Sequence, residues 1–233
     1  SAKENFKNKK SLKSLPFAII HNGGNNPKLK KSLVNRDEAC LFIANSTNKF
    51  KGLDLYKDFA KKSLSIEELK DLKFYSAGKI DFLNDDLINI NSSGPLNKED
   101  LSKLMQKIKY YIHPSIYEAC SNALIESINN GMIPFVYNGS SNIEIVSDKR
   151  LKFENVDELI SKIIKIRKDK SNKFKLLNLD IEESAESYIN FFDEIISMKD
   201  RKFNLFNIIN FINYLFLYKI SLIFEKLKST SRI

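Results

Sequence analysis

Two acidic residues, Glu118 and Glu126, stand on either side of a segment whose composition suits the start of a helix. The run His113-Pro114-Ser115-Ile116-Tyr117-Glu118-Ala119-Cys120-Ser121-Asn122-Ala123-Leu124-Ile125-Glu126 reads as strand end, tight loop and helix, and Gly131 followed by Met132-Ile133-Pro134-Phe135-Val136 reads as a stop and a new strand. Ser121 and Asn122 fall near the first turn, where unpaired backbone N–H groups and the helix dipole favour a phosphate. Two helical turns take about 7.2 residues, so Glu126, eight positions after Glu118, returns to nearly the same side but deeper along the helix. Carboxylates so placed can accept hydrogen bonds from hydroxyls at both ends of a diphosphate-linked sugar. The plain alternative is an amphipathic helix with two solvated glutamates.

A second constellation is Asn48-Lys49-Phe50-Lys51-Gly52-Leu53-Asp54. Lysine followed by glycine at a strand-to-helix turn lets a cation approach a phosphate without a bulky neighbour. The loop Asn91-Ser92-Ser93-Gly94-Pro95-Leu96 also follows a strand and opens a helix, and its backbone can read a nucleobase edge or be a simple turn. His113 reads as a satisfied core histidine rather than a catalytic group. With His21 it makes only two histidines, neither in a pair at metal-ligand spacing, and Cys40 and Cys120 have no CxxC partner, so no metal is assigned and both cysteines read as packing residues.

These residues need a scaffold that brings strand ends together. Short β-rich apolar runs alternate with helix-period segments from Pro16 onward, the pattern of βα units on a parallel sheet. Strands are expected over Phe17 to Ile20, Ala39 to Ala44, Leu72 to Ser76, Leu87 to Ile90, Tyr110 to His113, Ile133 to Tyr137 and, weakly, Leu151 to Phe153. Helices are expected over Leu53 to Lys62, Lys98 to Lys109, Ser121 to Asn130, Val156 to Arg167 and Ile181 to Met198, with Asn97 as an N-cap and Asn130-Gly131 as a helix stop. The fold class is therefore α/β, a Rossmann-like parallel sheet flanked by helices. In such sheets ligands collect at the carboxyl ends of strands.

In order and spacing the central stretch resembles the retaining family-4 glycosyltransferases of the GT-B fold. Their C-terminal domain carries a PS-x-x-E-x7-E signature followed by G-x-P-x-V; Pro114, Ser115, Glu118 and Glu126 match the first, and Gly131, Pro134 and Val136 follow in the order of the second with one residue more between glycine and proline. The resemblance implies that Glu118 holds hydroxyls of the donor sugar, that Glu126 holds the ribose hydroxyls, and that Ser121 and Asn122 sit at the phosphates. Lys51 would take the role of the family's Lys-Gly lysine on the donor diphosphate, and Gly94 and Leu96 would belong to the base-recognition loop. Where the family usually has Gly-Arg after the preceding strand this chain has Ala44-Asn45, so one diphosphate-binding cation is missing, unless Lys49 substitutes for it.

By the same resemblance residues 1–15 would be an interdomain segment left by an absent N-terminal domain. Residues 16–198 would be the nucleotide-sugar-binding domain, and the helix beginning near Ile181 would return toward that absent domain. The expected function is transfer, with retention, from a nucleoside-diphosphate sugar to a glycan or lipid-linked acceptor, as in cell-surface polysaccharide synthesis, with no cofactor beyond the donor substrate. A non-catalytic nucleotide-sugar-binding or scaffold domain is the alternative.

The net charge of +9 sits at the ends of the chain. Residues 1–36 carry nine Lys/Arg against one Glu, residues 199–233 carry seven against two acids, and the middle has 22 basic against 26 acidic side chains. That distribution argues against a nucleic-acid-binding core and fits attraction to anionic headgroups, or simply solubility. Residues 203–218 carry no charge and place Asn204, Asn207, Asn210 and Asn213 among Phe, Leu, Ile and Tyr. This run is shorter than the roughly 20 apolar residues that span a bilayer. The tail, 199–233, is thus expected to be an amphipathic helix, either touching a membrane surface through 203–228 or packing on another domain or subunit. No secretory signal is visible, so a cytoplasmic protein, peripheral on the inner face of the membrane in the first case, is expected.

Overall fold

The computed structural model describes residues 18–24, 35–46, 48–80, 90–139, 141–169, 173–177 and 179–197. Strands covered on both faces read as continuous apolar runs, and Ala39-Cys40-Leu41-Phe42 is such a run, buried throughout in β1 (Asp37–Ile43). Beyond it on one side lie β2 (Lys73–Ala77) and β3 (Ile90–Ser92). On the other lie β4 (Ile108–His113), β5 (Ile133–Tyr137) and β6 (Lys152–Phe153). The order is β3-β2-β1-β4-β5-β6, and every pairing is parallel. This is a doubly wound sheet whose winding reverses between β1 and β4, the place where such sheets open a crevice at their carboxyl ends.

The helices are α1 (Leu53–Ser63), α2 (Lys98–Lys107), α3 (Asn122–Asn129), the short α4 (Asn142–Ile145), α5 (Val156–Lys168) and α6 (Ile181–Ser197). Side-chain polar groups anchor them to the sheet. On α1 the Tyr56 hydroxyl donates to the carbonyls of Cys40 and Tyr75, tying the helix across β1 and β2. Asn97 caps α2 by accepting from the Asp100 N–H at 2.9 Å, as its place before Glu99 and Asp100 predicts. Buried Arg36 donates to the carbonyls of Met105, Ile108 and Asn130, supplying partners to chain ends of two helices that the ladder of helical bonds leaves over. Pro134 is tolerated inside the sheet because β6 pairs only with Val136 and Tyr137, so one flank of β5 has no ladder at the proline.

Most expected bounds shift by a residue or two, β1 running from Asp37 to Ile43 rather than Ala39 to Ala44, and three differences bear on the fold. Ile108 turns directly into β4, so α2 ends at Lys107 rather than Lys109. The third strand is Ile90–Ser92, residues 87–89 lying outside the described residues. Residues 18–20 of the expected first strand are not in a strand; the segment makes only a bridge from Gly24 to Asp180. The reason is steric and local. A Cβ at Gly23 would lie 2.4 Å from the Asp180 carbonyl oxygen, so the chain presses here against the backbone that leads into α6 instead of joining the sheet.

Two compact units divide the chain, Ser1–Ile189 and Asn190–Ile233. The helix α6 has no buried residue and exposes Tyr188, Ile189, Phe192, Ile195 and Ile196. The expected interdomain segment, 1–15, and the tail, 199–233, lie outside the described residues. Among the described residues no helix is long and apolar enough to cross a membrane.

One carboxylate ties the turn before β6 to the segment at Lys175 and makes stability depend on acid. Asp148 accepts from the Arg150 side chain at 2.7 and 3.0 Å and from the backbone N–H groups of Arg150 and Lys175. The Arg150 guanidinium, opposed by partial burial and helped by those N–H groups, holds the carboxyl down at about 2. An unfolded aspartate titrates near 3.9, so the folded state gains from this group above about pH 4 and loses that gain as pH falls toward 2. Asp148→Asn is expected to lower stability by roughly 1 kcal/mol at pH 6. In urea melts the gap between variant and wild type should close below pH 3; a gap independent of pH would refute the assignment.

Candidate functional site

The loops that follow β1 and β4 meet above the winding reversal and are laced together. After β1, Asn48 accepts from the Phe50 N–H and opens a short 3₁₀ turn over Lys49–Lys51, which closes at Gly52 in the left-handed region with φ 74°. The Phe50 carbonyl accepts from the Ile116 N–H at 2.9 Å and from the Ser115 hydroxyl at 3.4 Å, both in the loop after β4. This lacing sets Lys51 beside Glu118. Lys51 Nζ donates to Glu118 Oε2 at 2.7 Å, and the Ser115 hydroxyl donates to the same oxygen at 3.3 Å. A third loop holds Glu118 from behind, since the Ser141 hydroxyl donates to the Glu118 carbonyl at 2.6 Å.

Helix α3 starts where the residue types predict. Ser121 is its N-cap and accepts from the Leu124 N–H at 3.3 Å. A cavity of about 280 Å³ opens between the two loops, with Ala44, Asn45, Lys51, His113, Glu118 and Asn122 in its wall and Ser121 at its helix end. Glu126 faces a neighbouring cavity of about 430 Å³, lined also by Asn22, Gly23, Asn122 and the start of α6. Asn122 belongs to both walls, and its side-chain oxygen accepts from Asn22 at 2.9 Å. The two acids therefore flank the start of one helix, but they occupy adjoining hollows that share a wall.

Of the residues singled out in the sequence, Lys51, Glu118, Ser121, Asn122 and Glu126 come together. Gly94 and Leu96 do not reach either cavity. Gly94, in the left-handed region, accepts from the Gly78 N–H, and Leu96 packs against the core. Their loop follows β3, two strands from β1, and strands lie about 4.8 Å apart, which leaves it roughly 10 Å to the side. Lys49, the expected substitute for the missing cation, lies over the Phe50 ring and outside the cavity wall. Three contributors carried no clear sequence signal: Ser141 and Asn22, whose roles depend on tertiary contacts, and Ser115, legible only as part of the signature.

His113 is buried, as a core histidine should be, but it is not satisfied. Its Nδ1 lies 3.2 Å from the Tyr111 hydroxyl, and its Nε2 has no partner among the described residues. Burial pushes the imidazole down to about 4; Glu118 favours its charged form and Lys51 opposes it. Among the described residues no three His, Cys, Asp or Glu side chains gather as a metal-ligand group. Cys40 is buried and Cys120 partly so, both free.

Crevices at this point of a doubly wound sheet take ligands, so fold and site together define an α/β domain with a candidate ligand cleft at its winding reversal. A profile of the Glycosyl transferases group 1 matches residues 25–186, and the chain belongs to that family. The fold is likewise similar to several solved glycosyltransferases. Sucrose-phosphate synthase from Thermosynechococcus elongatus superposes with a TM-score of 0.63 at 14% identity, over 84% of this chain and 57% of that one. The pneumococcal O-GlcNAc transferase GtfA, solved in complex with UDP and GlcNAc, gives 0.57 at 16% identity, over 76% of this chain and 38% of its own. TarM of S. aureus, in a complex that includes UDP, gives 0.53 at 16% identity, over 76% and 38%. The chain thus spans well under two thirds of the length of each. No curated protein sequence matches it.

Proposed function

We propose that the cleft between the β1 and β4 loops binds a nucleoside-diphosphate sugar, and that residues 16–198 act as the donor half of a two-domain enzyme. That enzyme would transfer the sugar, with retention, to a glycan or lipid-linked acceptor. One observation carries the reading: a cation, a carboxylate and the opening of an eight-residue helix converge on one cavity at the winding reversal. Family membership and the UDP complexes of similar folds support it. In this reading Lys51 and the first turn of α3, at Ser121 and Asn122, stabilise the departing diphosphate, Glu118 orients the sugar, and Glu126 takes the ribose. Cation and dipole suffice for these roles, so the proposal includes no metal or cofactor. It places the protein in the cytoplasm, with the tail as its contact to a membrane surface or partner.

A second reading is a binding or scaffold domain without turnover. It is favoured by the Ala44-Asn45 strand end, which leaves Lys51 as the one cation among the described residues lining the cavity. Calorimetric titration of the chain with UDP-, GDP- and ADP-sugars tests the shared premise of donor binding; absence of heat with all three sinks the enzyme reading. Glu126→Ala is expected to weaken UDP about 10-fold or more while leaving inorganic pyrophosphate unchanged. Equal losses for both ligands would remove Glu126 from the ribose.

A further inference from the structure

The imidazole at the end of β4 has one nitrogen that nothing in the described structure satisfies. His113 is 5% exposed, belongs to the wall of the Lys51–Glu118 cavity, and keeps Nε2 unpartnered. Counting donors settles which nitrogen carries the proton. Tyr111 is fully buried, and the hydrogen bond the structure gives its hydroxyl is the one with His113 Nδ1. Were the proton on Nδ1, it would donate to the phenol oxygen, and the phenol's own proton would be left buried without an acceptor among the described residues. If Tyr111 donates instead, the phenol and Nδ1 are both satisfied, and the proton of the neutral ring sits on the still unpartnered Nε2.

Nε2–H is then a donor held beside a cavity that already presents Lys51 as a donor and Glu118 as an acceptor. Sugar hydroxyls donate as well as accept and so suit the carboxylate; phosphate oxygens only accept and suit the two donors. We infer that His113 binds the diphosphate of the nucleotide, its Nε2–H donating to a phosphate oxygen in the place where the Ala44-Asn45 strand end offers no second cation. The inference rests on the reading that the cavity takes a nucleoside-diphosphate sugar. The nitrogen itself is not exposed, so the contact forms with a side-chain shift as the nucleotide enters. Burial keeps the ring uncharged at neutral pH. It therefore acts as an uncharged dipole oriented by Tyr111, and it needs no change of protonation to bind.

The test is titration of the 233-residue chain with UDP, GDP and ADP, comparing wild type with His113→Leu and His113→Gln. The glutamine amide nitrogen reaches close to the position of Nε2. Leucine is expected to weaken the best-bound nucleotide about 10-fold or more, and glutamine to stay within about 3-fold of wild type. Equal affinity of wild type and His113→Leu overturns this inference alone. If wild type binds none of the three, the cavity reading fails and takes the inference with it. A loss seen with the nucleotide sugar and not with the nucleotide overturns the diphosphate assignment. Should His113→Leu not fold, nitrogen-15 imidazole spectra of wild type decide the matter. With only His21 and His113 present, the expected pattern is an Nε2–H tautomer for His113 whose Nε2 resonance moves on adding the nucleotide, and an Nδ1–H tautomer or an unmoved resonance refutes it.

Discussion

Replacing Gly52 by alanine is expected to destabilise the protein by about 3 kcal/mol and to weaken nucleotide binding at least 10-fold. Two independent effects add at this position. Gly52 sits at φ 74°, ψ 29°, a region that costs an L-residue roughly 1–2 kcal/mol. An alanine Cβ there would also lie 2.4 Å from the Pro114 carbonyl oxygen and 2.9 Å from its carbon. Both are backbone atoms, so no rotamer change relieves the overlap. The two loops must separate instead, against the Ile116-to-Phe50 hydrogen bond that laces them. Separation draws Lys51 away from Glu118, which is why affinity falls along with stability. Gly94→Ala is the matched control: its φ is 64°, but a Cβ there meets nothing within 4 Å. At 2–4 °C per kcal/mol for a chain of this size, Gly52→Ala should melt roughly 6–12 °C below wild type and Gly94→Ala only a few degrees below. Equal melting temperatures for the two variants would show that the loop contact contributes nothing.

The scaffold was legible because its signals are local. Ala39–Phe42 and Ile133–Val136 are apolar runs that belong inside a parallel sheet whatever surrounds them, and Asn97, Ser121 and Gly131 mark helix ends through short-range hydrogen bonds or a left-handed residue. Strand order was not legible. It depends on which strands pair, and the reversal between β1 and β4 appears only once the sheet is assembled. The segment before Gly24 misled for a related reason. Ala18-Ile19-Ile20 has strand composition, but among the described residues the six-stranded sheet forms without it, and Gly23 is needed for close approach to Asp180.

At the site, the spacing of Glu118, Ser121 and Glu126 along one loop and helix was enough to place them at one helix start, because they are near in sequence. What spacing could not reveal was long-range. Lys51 lies 67 residues from the acid it pairs with, whereas the Tyr111 hydroxyl that orients His113 is only two residues away along β4 and was missed for want of a side-chain geometry. That the two acids face separate hollows is likewise a consequence of how α6 and the segment at Asn22 pack around Glu126.

The ion pair at the centre of the site makes a prediction whose sign is the informative part. Without ligand, Glu118 and Lys51 neutralise one another at 2.7 Å, with side chains 17% and 37% exposed. An incoming diphosphate must draw Lys51 toward itself and then share the cavity with the carboxylate. Like charges about 5 Å apart in partly exposed surroundings repel by an amount on the order of 1 kcal/mol after solvent screening. Glu118→Gln keeps the shape and removes that repulsion. UDP alone should therefore bind the variant about 3- to 10-fold more tightly than wild type. The sugar changes the balance, because hydroxyls donating to a carboxylate form charge-assisted bonds worth roughly 1.5–3 kcal/mol, and the amide cannot replace their strength. The variant should thus lose about 10-fold or more of the advantage that wild type gives a UDP-sugar over UDP. Lys51→Met should act with the opposite sign on UDP, weakening it, while leaving the ratio between UDP-sugar and UDP much less changed. Calorimetry of the two variants with both ligands measures all four terms. Weaker UDP binding by Glu118→Gln, together with an unaltered sugar-dependent ratio, would mean that the carboxylate serves only to hold Lys51 in place and does not meet the sugar.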